Sequence, residues 1–360
     1  RMRNIDKWHV RLLSDAEQEE LYARPEFSPE ERDHYFVIDD KIKEILNQYE
    51  STKAKVHFLL LHGYFQAKHL FFKFTFEEVK EDVAYLVKKY FYEEEQAFAI
   101  KNNIWKEHYR RQKEAILKLH DYTEWATSLK QKISAHILWL LRRYPKGNDT
   151  LRELLVFVNE VKITLPSYRT LQDLFTDAFS LERERLNQVL LTIPEHLQNR
   201  LEVLIENDEG FTELNTIKLD QKDFKYTAIK SEIKKSKLLS EIYPLAKSLL
   251  PLLKLSTNAV RYYSSLAEHY TASRIRKLSQ PQQWLHVLCF VFHRYQTIME
   301  NLITSFMLHT KSIVDDAKVF ADEQEERYRK NITLDLPQLG EFLQWYSSYT
   351  ITARGITTRH

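Results

Sequence analysis

Five basic side chains crowd the stretch from Asn103 to His120. Lys106, Arg110 and Lys113 recur at i, i+4 and i+7, while Arg111 and Lys118 stand on a neighbouring face. On a helix this spacing lines one side with cations, and Trp105, Tyr109, Ile116 and Leu119 supply a separate apolar side for packing. Cations held on a rigid helix suit phosphate oxygens and the acceptor edges of bases, so the chemistry expected here is recognition of nucleic acid, not bond-making. Other basic candidates are Lys53 and Lys55 at the start of an apolar run, Arg142 and Arg143 beside a break in the chain, and Arg169.

The remaining reactive residue types do not assemble into a catalytic pattern. Fourteen histidines invite a metal site, yet His57 and His62 are five apart, His62 and His69 seven, and no HExxH puts two imidazoles and a carboxylate on one helical face. No GxSxG elbow is present, and the single cysteine, Cys289, lies in the apolar run VLCFVF, where a thiolate is disfavoured. Adjacent acids such as Glu93 to Glu95 and Asp315 with Asp316 point apart on a helix, whereas two-metal chemistry needs carboxylates converging from separate elements. No catalytic residue, metal ligand or cofactor is therefore expected.

The elements that must carry these residues are helices. Five glycines and nine prolines in 360 residues are too few for the hairpins of a sheet protein or the Gly-rich loops of nucleotide-binding folds. Ser14 with Glu17, Thr75 with Glu78 and Thr150 with Glu153 have the spacing of capping boxes, and Ser28-Pro29 places proline at a first helical position. The spacing predicts helices near 15–23, 29–36, 40–50, 54–70, 76–91, 103–120 and 127–144. A break follows at 144–149, and later joints fall at Pro166, Pro194, 207–210 and Pro244. Strand-like character is confined to 156–165 and 216–219.

Charge is unevenly spread although the net value is only +2. Residues 14–50 carry a local charge of −8, residues 101–143 carry +6, and residues 218–277 carry +8. A polyanion would meet the last two blocks while the acidic stretch faces elsewhere; the alternative is that each block is a solvated helix face. No run of 18 uncharged apolar residues occurs and the first ten residues lack a signal-peptide core, so a soluble cytoplasmic protein is expected.

Between residues 281 and 330 the pattern changes. Leu285, Phe292, Met299, Phe306, Ile313 and Phe320 recur every seven residues, with Leu288, Tyr295 and Leu302 three after the first three of them. That is the pattern of helices packed side by side. Apolar residues on other faces of the first half predict burial in an intrachain bundle that includes Phe292, Met299 and Phe306, with 322–330 as a charged, exposed end.

Several phrases together resemble the N-terminal DNA-binding half of the Tn-three family of replicative bacterial transposases. They are RLLSDAEQEELYARPEFSPEERDHYF, FLLLHGYFQAKHLFF, EDVAYLVKKYF, IWKEHYRRQKEAILKL, LPSYRTLQDLFTDAF with ERERL, YYSSLAEHYTASRIRKL, and LHVLCFVFHRYQTIMENLITSF. The resemblance implies an all-α chain with several small DNA-binding modules in series, followed by a bundle with one long helix. The divisions it suggests are 1–74, 75–146, 147–215, a linker and dimerisation region at 216–330 with its long helix at 281–330, and the start of a further region at 331–360. It implies binding of double-stranded DNA at transposon terminal inverted repeats and a homodimer, with no membrane and no small-molecule substrate. In that family the three carboxylates that hold two metals belong to a later domain, so this chain is expected to be a non-catalytic part of a transposase. The alternative class is a helical interaction scaffold, or a truncated regulator that forms mixed dimers.

Overall fold

Ser14 and Ser28 open the first two helices with capping boxes, in which Glu17 and Glu31 accept the serine N–H groups at 2.8 Å in both cases. In the computed structural model, which describes residues 10–92, 106–206, 212–221, 223–331 and 340–348, these are α1 (Asp15–Tyr22) and α2 (Pro29–Tyr35). There follow α3 (Asp40–Leu46), α4 (Thr52–Lys68), α5 (Lys80–Tyr90), α6 (Lys106–His120), α7 (Lys130–Leu141) and α8 (Gly147–Glu160). After these come α9 (Tyr168–Leu190), α10 (Glu195–Ile205), α11 (Glu213–Lys218) and α12 (Tyr226–Ser240). Then come α13 (Tyr243–Leu249), α14 (Thr257–His269), α15 (Ala272–Arg276) and α16 (Gln280–Asn331), and residues 340–348 are again helical. The fold is all-α, as composition demands; among the described residues the only β feature is one parallel bridge between Thr123 and Ile163.

Both strand-like readings are corrected. Residues 156–160 complete α8, whose buried side Thr150, Leu151, Leu154 and Val158 follows a helical period, and 216–218 close α11. The β-branched run at 156–165 misled because propensity yields to a buried helical face. Thr150 is not a cap: α8 begins earlier, at Gly147, and the fully buried Thr150 hydroxyl donates to the Tyr144 carbonyl at 2.5 Å.

Three apolar cores organise the helices. In the first, α4 is buried on nearly every side, from Ala54 to Phe65, and is wrapped by Phe27, Phe36, Ile42, Val83, Leu86 and Ile116. Gly63 makes this possible, because a Cβ there would lie 2.5 Å from Phe36 Cε1. The second core joins Leu12 to α7, α8 and the first half of α9. The break expected at 144–149 lies inside this core, and Gly147 fits between Leu12 and Phe179, to which a Cβ would come within 3.3 and 3.5 Å. The third core takes Leu186 and Leu190 of α9 together with α10 to α15 and the first half of α16. Thus α9 is the spine between the second and third cores.

The long helix is present as expected, but its burial ends sooner. Trp284 to Val291 and Ile298 are enclosed, and Phe292, Tyr295 and Leu302 pack on the core edge. Met299 is 36% exposed and Phe306 73% exposed, so the expected burial of Met299 and Phe306 is corrected. The last ties are the Gln221 amide to Ser305 Oγ at 3.2 Å and His309 Nε2 to the Phe224 carbonyl at 2.9 Å. Beyond them Ile313, Val314, Val319 and Phe320 are exposed.

Candidate nucleic-acid interface

The basic line on α6 is built as its spacing requires. Ile116 and Gln112 turn inward, with Tyr109 and Leu119 packed on the first core; Gln112 donates to the Ala54 carbonyl at 2.8 Å and meets His57 Nδ1 at 2.6 Å. Trp105 lies outside the described residues. On the outer side three of the cations are already answered by carboxylates. Arg110 bonds Glu107 and Glu114, each at 2.7 Å, and Arg111 lies 3.4 Å from Glu107. Lys113 pairs with Glu124 and its ammonium lies 5.2 Å from the Phe71 ring centroid. The hydrogen bond from Arg110 holds the Glu107 carboxyl below its usual range, so the pair stays ionised at neutral pH. Lys106 is exposed at the helix start.

The other candidates are dispersed. The Lys53 ammonium lies 5.7 Å from the Phe76 ring centroid, and Lys55 is half-buried at the start of α4. Arg142 reaches Glu182 at 3.4 Å, a buried carboxylate that also binds Arg185 at 2.9 Å and so ties α7 to α9. Arg169 is exposed in the first turn of α9, in a shallow hollow shared with Arg11, Asp15 and Gln172. Arg143 is exposed and lies over Trp139, with Cζ 4.0 Å from the ring centroid. The nine candidates are spread over four helices: four sit on α6, two open α4, two end α7 and one opens α9.

Sequence reasoning passed over α12. Its inner side carries Glu232 and Lys235, paired at 2.6 Å and almost wholly buried. Its outer side carries Lys230, Lys234 and Lys237 at i, i+4 and i+7, all exposed, with Tyr226 at 75% exposure one turn before them. Among the described residues none of these three lysines forms an ion pair. The signal that would have found them was in the +8 block, but only the structure shows that the sole acid within the helix faces inward.

Among the described residues no three His, Cys, Asp or Glu side chains gather as a metal would require, and no helix is long and apolar enough to cross a membrane. Cys289 is fully enclosed, and burial pushes its thiol far above the ordinary range. His57 and His62 are depressed to about 4, both chiefly by burial, which makes them neutral parts of the first core. No curated protein matches the chain. Residues 12–178, which include all nine candidates but stop before α12 and α16, match the family model described as a domain of unknown function (DUF4158).

Proposed function

We propose that this chain binds double-stranded DNA, as the region of a replicative transposase that recognises terminal inverted repeats and carries no catalytic centre of its own. The observation that supports the reading is the row of unpaired lysines on α12. Three cations on one exposed helical face, with Tyr226 beside them, form a track that a phosphate backbone can follow without displacing any carboxylate. The test is a salt series of duplex affinities for the chain and for Lys230→Gln, Lys234→Gln and Lys237→Gln. Each substitution is expected to weaken cognate and scrambled duplex alike and to lower the log–log salt slope by about one. Unchanged slopes in all three variants would remove the support.

One observation favours a second reading, the interaction scaffold or mixed-dimer regulator. Ile303, Phe306, Ile313 and Phe320, with Met307 and Val314 beside them, form an exposed apolar strip on the distal half of α16. A second copy laid along that strip would give the homodimer that the resemblance implies. Sedimentation of the chain against Phe306→Asp tests the strip: a dimer through α16 is lost in the variant, whereas the same mass in both forms would show that no copy pairs there.

A further inference from the structure

On the outer side of α7 four side chains stack in a column. The Phe157 ring of α8 lies 3.6 Å from His136, tilted by 14°. His136 in turn lies 5.3 Å from Trp139 at 29°, and Arg143 Cζ lies 4.0 Å over the same indole. His136, Trp139 and Arg143 follow one another at i, i+3 and i+7, so a single helical face presents them. Trp139 nevertheless remains 46% exposed, which leaves the top of the column accessible.

The surroundings of Arg143 differ from those of the other candidate arginines. Arg110 and Arg111 are engaged by Glu107, Arg142 shares Glu182 with Arg185, and Arg169 has no ring beneath it among the described residues. Arg143 forms no ion pair among the described residues, and neither does Lys132, two turns before Trp139, nor Lys146 in the following turn. The helix end beneath it is also quenched. The Arg142 and Arg143 carbonyls accept from the Ser256 N–H at 2.8 Å and from Ser256 Oγ at 3.0 Å, so those two C-terminal dipoles are not left to hold the guanidinium. Burial keeps His136 below its ordinary value, hence uncharged beside the cation at neutral pH.

A guanidinium held 4.0 Å over an indole gives up rotamer freedom before any partner arrives, and among the described residues no hydrogen bond occupies the Arg143 guanidinium N–H groups. That arrangement fits a planar pair of acceptors better than a point charge does. We propose that Arg143 is a base-reading residue of the DNA contact, donating two hydrogen bonds to O6 and N7 of a guanine, with Trp139 as the platform that fixes it. Lys132 and Lys146 flank it as phosphate anchors. The proposal rests on the reading of the chain as a DNA-binding protein, and it names the side chain that would supply sequence discrimination there.

The experiment begins by selecting preferred duplexes from a random-sequence library with the unaltered chain. Affinities are then measured for Arg143→Ala, Arg143→Lys and Trp139→Ala on the selected duplex, on its single-base variants and on scrambled DNA, with melting curves as a control for folding. Arg143→Ala is expected to lose about 10- to 100-fold on the selected duplex, with scrambled DNA little changed and the requirement for one G·C pair abolished. Arg143→Lys keeps the charge but should fail to restore that requirement, and Trp139→Ala should relax it in part. Equal loss on selected and scrambled DNA, or full rescue by lysine, would make Arg143 a phosphate anchor and overturn the proposal. A chain that selects a sequence yet is indifferent to all three substitutions also overturns it while leaving DNA binding intact. A chain that binds no duplex overturns the functional reading itself.

Discussion

His62 Nε2 of α4 and His120 Nε2 at the end of α6 lie 3.0 Å apart, with ring centroids 5.1 Å from each other. One of the two nitrogens must carry a proton and the other must not, so the pair holds α4 to α6 as long as at least one ring stays neutral, and is broken when both take up a proton. Burial lowers His62 to about 4, His120 lowers it further, and Asp39 opposes the shift; His120 is lowered by burial and by His69 and Lys162, with Asp39 and Asp121 opposing. His57, bonded to Gln112, is likewise depressed to about 4 by burial.

The sign of the pH dependence follows. The unfolded chain takes up protons near the ordinary histidine value of 6.5, before the folded chain does, so stability is full above 6.5 and falls as pH drops from 6.5 toward 4. His57 alone should contribute a loss on the order of 3 kcal/mol across that window. Urea denaturation at half-unit pH steps is the measurement. The curve for His57→Gln should be flatter than that of the unaltered chain, and identical pH slopes would contradict the assignment.

Gly63 should not tolerate alanine. In a helix interior Gly→Ala ordinarily stabilises by up to about 1 kcal/mol, but here the added methyl would meet the buried Phe36 ring at 2.5 Å and the Tyr35 carbonyl at 3.2 Å. Overpacking should win, with a net loss of about 1–3 kcal/mol in urea denaturation. A gain would mean that Phe36 moves aside freely.

The carboxylates around α6 should make its arginines poor DNA ligands. Arg110→Gln is expected to leave duplex affinity and salt slope nearly unchanged, because its charge is already matched by Glu107 and Glu114. The reverse substitution, Glu107→Gln together with Glu114→Gln, should strengthen non-specific binding and steepen the slope. Filter binding across a salt series checks both, and a large loss for Arg110→Gln would restore α6 as the DNA-facing helix.

Burial along α16 should divide mutational cost at Ser305. Ile298→Ala, at a fully enclosed position, is expected to lower stability by about 2–5 kcal/mol, whereas Phe306→Ala, 73% exposed, should change it by less than about 0.5 kcal/mol in the monomer. Thermal melts at several protein concentrations test this. A concentration-dependent loss for Phe306→Ala would show the strip to be covered by another copy.

Local features were legible in the order of the amino acids. The scarcity of glycine, the serine caps at Ser14 and Ser28, and the seven-residue repeat through α16 prescribe helices and place most of their ends, because capping and helical periodicity are satisfied within a few residues. The inward side of α6 was legible for the same reason, since Tyr109, Ile116 and Leu119 share a helical face. Partnership between elements was not legible. Lys113 finds Glu124 beyond its helix, Arg142 finds Glu182 two helices on, and α16 runs past the last helix able to cover Phe306. Whether a basic side chain is free for DNA depends on which carboxylate lies within a few ångströms. Tertiary packing therefore decided that Lys113 is matched by Glu124 and Arg142 by Glu182 and that the α12 lysines are open, whereas Arg110 with Glu107 and Arg143 with Trp139 are pairs at helical spacing within a few residues.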